Sequence, residues 1–169
     1  MFSTSDLKLL LPPLETVNVV FADTRGPFST AIKAATWGWC SHTALMLDED
    51  TVIEATLMKG VHKSPLSELL ARSNAWAIVA FPVYSAEIVK EAAVSQEGKK
   101  YDLQGVFGVS LHRDWQDTSD WWCSEHTAWS LEHGGPKLFR DYYKHRVTPP
   151  DLWKFPYPVL ASHGLRYTP

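Results

Sequence analysis

Between Cys40 and Thr56 the chain reads CSHTALMLDEDTVIEAT: two runs with strand character on either side of the acidic triplet Asp48-Glu49-Asp50. The first alternates and the second is rich in β-branched residues, which predicts a β-hairpin turning at residues 48–50. A hairpin alone is barely stable in water, so this segment commits the chain to a sheet packed against something else. Two ionisable side chains interrupt it. His42 stands on the first strand, on the face of Cys40, Ala44 and Met46, and Glu54 stands between Ile53 and Ala55 on the second. Turn length fixes their relation. A three-residue turn sets Ala44 opposite Glu54 and His42 opposite Thr56, making His42 and Glu54 diagonal neighbours on one face, whereas a two-residue turn points Glu54 away.

The remaining pattern supplies the packing partners. Val17–Ala22 reads as a strand, and Ser29–Thr36 as a short helix capped by Ser29. Beyond the hairpin and a loop, Leu66–Ser73 suggests a turn or two of helix, and Trp76–Tyr84 a strand that Pro82 ends or confines to an edge. Ser85 caps a helix with Ile88, Val89, Ala92 and Ala93 on one face and its end at Gly98. Residues 99–118 are mixed. A second clear helix runs over Asp120–His133, opened by Asp120 or Ser119 and stopped by Gly134-Gly135, and the proline-containing tail reads as irregular chain wrapping the domain. The fold class expected is α+β, a small antiparallel sheet packed against helices.

Composition narrows the function. At 169 residues with 45% apolar content, one domain spanning 1–169 is expected, with no repeat and no mid-chain linker. Eight Trp, six Tyr and seven Phe can fill a core or line a substrate groove. A net charge of -3 without any basic run argues against nucleic-acid binding and against a basic membrane patch. The apolar run Leu7–Leu11 holds Lys8 and is cut by Pro12 and Pro13, too short for a signal-peptide core, and no stretch reaches membrane-spanning length. The expectation is a soluble protein, cytoplasmic as synthesised, with any export by a non-classical route. Two cysteines are too few for a disulfide framework; Cys40 and Cys123 read as free, metal-bound or catalytic thiols, or as one bridge.

The sharpest chemical reading centres on Cys123. About three residues into its helix, it meets unpaired backbone N–H groups and the positive end of the macrodipole, which favour thiolate. The same N–H groups can hold the oxyanion of a tetrahedral intermediate. From spacing alone a small buried hydrophobe is an equal reading of Cys123. A nearby imidazole decides between them: His42 as base, with Glu54 fixing its tautomer, completes a cysteine-hydrolase triad.

Read in order, Ala31-Ile-Lys-Ala-Ala-Thr36, Ser41-His42, Val52-Ile-Glu-Ala55 with Gly60-Val61, Gly98-Lys-Lys-Tyr-Asp102, Trp122-Cys-Ser-Glu125 and Thr148-Pro-Pro-Asp-Leu152 resemble the permuted NlpC/P60 enzymes of the YiiX/YaeF-like kind, relatives of lecithin retinol acyltransferase. The likeness spans roughly residues 17–152. In that group the histidine strand precedes the cysteine helix, the reverse of papain and the order found here. The resemblance implies a circularly permuted papain-like fold and an amide, ester or thioester hydrolase or acyltransferase, with Cys123 as nucleophile, His42 as base and Glu54 at the third, polar position. No cofactor is implied. The chain departs from many relatives in Glu125-His126-Thr127, where aliphatics follow an acidic residue, and in the extra thiol of Cys40.

Weaker candidates surround this set. Tyr101 and Asp102 match the family's Tyr-Asp pair and are expected near the cleft, though a Tyr packed on a helix end is the plainer reading. Arg25 can meet a substrate carboxylate, or simply face solvent. Trp122, with Trp115 and Trp121, can wall a groove or fill a core. The expected substrate is a peptide or acyl small molecule, with peptidoglycan stem peptides preferred and a lipid or thioester acyl group as the alternative. Two readings of another class stand beside it: a Cys2His2 zinc site from Cys40, His42, Cys123 and His126, and an inactive binding module.

Overall fold

Six antiparallel strands in the order β4-β3-β2-β1-β5-β6 form one sheet. The computed structural model describes residues 14–101, 121–139, 147–155 and 159–165. In chain order the elements are β1 (Glu15–Thr24), α1 (Pro27–Thr36), β2 (His42–Met46), β3 (Thr51–Thr56), β4 (Gly60–Pro65), α2 (Leu66–Ala71), β5 (Ser73–Val83), α3 (Ala86–Ser95), α4 (Cys123–Gly134), α5 (Pro149–Trp153) and β6 (Val159–Leu165).

The central strands are apolar on both sides because both sides are covered. Val17, Val19 and Phe21 of β1 join Leu45, Ile53, Ala55, Phe81 and Val83 in one cluster with Val89 and Ala93 of α3 and Ala128 and Leu131 of α4. The opposite parity, Val20, Ala22, Ala44, Met46 and Val52, packs on Leu69 of α2. Full burial of a Val or Leu side chain stabilises a fold by about 1.5–3 kcal/mol, so these two clusters hold the sheet against the chain's conformational entropy. No helix among the described residues is long and apolar enough to cross a membrane.

The hairpin turns over three residues. Leu45 opposes Ile53, Met46 opposes Val52, and Leu47 N–H donates to Thr51 O at 2.9 Å. Its turn is set locally: Asp48 Oδ1 accepts from Asp50 N at 2.9 Å and Thr51 N at 2.7 Å, and these bonds lower the Asp48 carboxyl from its ordinary value.

Several expectations are corrected. Helix α1 begins at Pro27 after Gly26, since proline suits the first helical position; Ser29 lies inside the helix, bonded to Ser41 Oγ rather than capping. Helix α4 begins at Cys123 with Trp122 as its N-cap, so Cys123 is its first residue, not its third or fourth. The expected openers Asp120 and Ser119 lie outside the described residues, as does most of 99–118. On α3, capped by Ser85 as expected, Val89 and Ala93 are buried while Ile88 is half exposed. Cys40 belongs to the cluster under α3 and α4 and not to the face of Ala44 and Met46, because it precedes the strand and escapes its pleat.

Two strands are additions. The segment Gly60–Pro65, expected as loop, is β4 and makes the hairpin a meander; its Gly, Lys and Pro suit an edge strand but give no alternating pattern. The tail is not irregular. Thr148 and Asp151 form a capping box that starts α5, and β6 then pairs along β5. Among the described residues that pairing reaches only to Ala80, so there Pro82 is paired with Thr16 of β1 alone.

Candidate active site

His42 is the first residue of β2 and Cys123 the first of α4, and the two meet where both elements begin. The elements are tied by hydroxyls. Thr127 on α4 donates to Cys123 O at 2.9 Å and lies 3.1 Å from the Thr43 hydroxyl of β2. The first bond along the helix axis is His126 N–H to Trp122 O, at 3.0 Å, so the N–H groups before it open outward. Of these, Ser124 N–H, together with Thr43 N–H of the sheet, favours the Cys123 thiolate.

Glu54 Oε2 takes the hydrogen bond of His42 Nε2 at 2.6 Å, which leaves the ring's other nitrogen free for the Cys123 thiol, the neighbour that also raises this imidazole. Burial opposes ionisation of all three groups, and mutual attraction overcomes it. Burial would lower His42, but the Cys123 thiolate, its hydrogen bond and Glu54 raise it to about 9. The Cys123 thiol is lowered despite burial, by the His42 charge and hydrogen bond and by the two backbone donors. Glu54, only 1% exposed, is lowered against burial to about 2 by His42, by Arg72 and by Ser64. The state these shifts favour is thiolate, imidazolium and carboxylate in a row.

The Glu54 carboxylate is held from four sides. Besides His42, Arg72 donates a short bond to Oε2, Ser64 Oγ donates to Oε1 at 2.6 Å, and His62 Nε2 lies 3.9 Å from Oε1. Sequence reasoning misses Arg72, Ser64 and His62, because two of them sit on β4. Recognising that strand would reveal them: Glu54 pairs directly with His62, and Ser64 is the diagonal neighbour.

Above His42 opens a cleft of about 360 Å³, lined on one side by Phe28, Ser29 and Ile32 of α1 and on the other by Leu57, Met58 and Lys59 of the β3–β4 turn. Tyr101 lines it. Asp102 lies outside the described residues, as does Trp115. Arg25 also lines the cleft, but its guanidinium is anchored on main-chain oxygens, Nη2 to Ala71 O and Nε to Arg72 O. Trp122 is not a cleft wall; it is buried against Ile32 of α1, where its bulk fixes the helix that forms the wall. Trp121 packs on His126 and Trp129.

The residues of the zinc alternative do not form one group. Among the described residues no three His, Cys, Asp or Glu are placed to hold a metal ion. His126 Nε2 is bonded to Ala93 O at 3.1 Å, and burial, with Lys99, lowers this imidazole to about 4. Cys40 is a free, buried thiol that burial raises to about 12, and Cys123 is also free, so the two are not bridged.

A helix-start thiol beside an imidazole on an antiparallel sheet, with the histidine strand first in the chain, marks a papain-like cysteine hydrolase of permuted order. More narrowly, the chain belongs to the permuted papain-like amidase enzymes of the YaeF/YiiX kind, the C92 family, whose sequence profile matches residues 14–134. Among solved structures it is similar to the metalloprotein YiiX from Escherichia coli O157:H7, with a TM-score of 0.65 and 18% identity over 90% of this chain and 98% of that one. That likeness is one of fold. No curated protein sequence matches the chain.

Proposed function

We propose that this protein is an amide-cleaving cysteine hydrolase in which Cys123 is the nucleophile, His42 the general base and acid, and Glu54 the group that orients the imidazole. The observation that carries the reading is the convergence, from three separate elements, of a lowered thiol, a raised imidazole and a buried carboxylate. The thiolate attacks the carbonyl carbon, and N–H groups at the start of α4 stabilise the oxyanion. His42 then gives its proton to the departing amine, the C–N bond breaks, and a thioester joins the acyl group to Cys123. Water, losing its proton to His42, hydrolyses the thioester and restores the thiolate.

The cleft favours a peptide substrate. Its floor carries a hydroxyl cluster, Thr24, Ser29 and Ser41, suited to a peptide's polar backbone, beside the apolar side chains of Phe28 and Ile32. Peptidoglycan stem peptides, short and rich in amides, are the preferred class; a lipid or thioester acyl group is the alternative. The solved relative is described as a metalloprotein. Among the described residues the donors do not fit a resident metal, since no three are placed to hold one and Cys40 resists ionisation, and no step runs through one.

Incubation with purified murein fragments alongside an acyl ester, read by mass spectrometry, identifies the bond that breaks. Release of a stem-peptide fragment by the native protein and not by Cys123→Ala is the expected result. Cleavage that survives in Cys123→Ala refutes the nucleophile.

A further inference from the structure

We infer that the cleft over His42 is built for a substrate carrying a carboxylate close to its scissile bond, drawn in by Lys59 and Arg25. This deepens the hydrolase reading and rests on it. Of the described side chains lining the cleft, Arg25, Lys59, Arg72 and His62 can carry positive charge, and among these described residues none is Asp or Glu. The reacting groups balance among themselves: the Cys123 thiolate answers the His42 imidazolium, and Glu54 answers Arg72.

Two cations remain uncompensated among the described residues. Arg25 donates only to neutral carbonyls, which fix its position and leave its charge intact. Lys59, exposed on the β3–β4 turn, has no carboxylate partner among the described residues. Two acids on neighbouring elements are engaged elsewhere, Asp23 by Lys33 at 2.6 Å and Glu97 by Lys63 at 3.1 Å. Among the described residues, an overall acidic chain thus presents a locally cationic cleft over His42.

Iodoacetate and iodoacetamide test this, because both alkylate a thiolate by displacing iodide and differ mainly by one negative charge. The reading is the ratio of their rates at Cys123, located by peptide mass mapping, in the native protein and in Lys59→Gln and Lys59→Glu, whose exposed turn position leaves folding undisturbed. His42 imidazolium itself attracts iodoacetate, so the comparison across variants is what decides. Lys59→Gln is expected to lower the iodoacetate-to-iodoacetamide ratio about three- to tenfold and Lys59→Glu to lower it further. Raising the salt should shrink the difference. Equal ratios in all three proteins overturn the inference and leave the hydrolase reading standing. A Cys123 inert to both reagents overturns the hydrolase reading, and the inference with it.

Discussion

His42 Nε2 lies 2.6 Å from Glu54 Oε2, across a hairpin whose three-residue turn makes the two side chains diagonal neighbours. Neither position is a natural place for a charge. Glu54 is tolerated because every face of its carboxylate meets a donor, and His42 because its two nitrogens face one acid each. Glu54→Gln should therefore reduce kcat/KM by about 10²- to 10⁴-fold, the range expected when an imidazole loses its orienting anion. Steady-state kinetics on the cleaved substrate measure it. Cys123→Ala should abolish turnover while leaving the fold intact.

The pH profile follows from the same pair. Activity needs thiolate and imidazolium together, and these persist until His42 loses its proton near pH 9. The acid limb should lie below the ordinary thiol range, since Cys123 is lowered. A bell in kcat/KM with its alkaline limb near 9 is the expected outcome, and Glu54→Gln should move that limb downward. An alkaline limb near 6.5 would mean that no ion pair forms.

Stability carries a matching signature. His42 binds its proton more tightly folded than unfolded, so its contribution is complete below about pH 6.5 and is lost as pH rises through about 9. Glu54 acts in the opposite sense, stabilising above about pH 4.5 and losing this as pH falls through about 2. His126 adds a third effect. Held neutral by burial, it resists protonation to about pH 4, whereas the unfolded chain takes up the proton near 6.5, so the fold weakens as pH falls between these values. Replacing it as His126→Gln, which retains a donor toward Ala93 O, should flatten denaturant-measured stability across that interval.

Arg72 is the next residue whose loss should be felt at the catalytic carboxylate. It donates to Glu54 from a half-exposed position, so solvent can compensate only in part. Arg72→Leu is expected to destabilise by about 1–3 kcal/mol, less than for a wholly buried pair. It should also raise the Glu54 pKa, bringing the acid unfolding midpoint to higher pH. Urea titration at neutral and acidic pH separates the two effects.

The hairpin is legible because its strands alternate and its turn is an acidic triplet, and the relation of His42 to Glu54 follows from counting residues. The helix ends are less legible, since Asp120 and Ser119 read as caps while α4 begins at Cys123 with Trp122 before it. Local chemistry names good caps, but here packing of Trp122 under α1 sets the start. Strands β4 and β6 are hard to read for a related reason. Among the described strands they lie at the two ends of the sheet order, and on β4 residues such as Lys63 and Pro65 stand in place of an apolar alternation. Without β4, its Ser64 and His62 cannot be placed beside Glu54, and the charge of Arg25 says nothing of the carbonyls that anchor it.

Gly60 tests how the cleft wall is positioned. Its φ of +66° lies in the left-handed region, and a Cβ there would stand 2.0 Å from Lys99 O, a backbone atom that cannot swing aside. The close approach lets Val61 N–H donate to Lys99 O and Gly98 N–H to Val61 O, both at 2.8 Å, which docks the stretch ending in Tyr101 against β4. Gly98 shares the unusual backbone, with φ +86°, yet a methyl group there would meet nothing within 4 Å. Gly98→Ala should therefore cost only the conformational penalty, about 1–2 kcal/mol. Gly60→Ala should cost about 2–4 kcal/mol and also raise KM, because displacing the backbone of Lys99 carries Tyr101 out of the cleft. Denaturant melts and kinetics on the two variants side by side give the comparison. Equal losses, with KM unchanged in both, would show that the tight contact at Gly60 has no part in shaping the site.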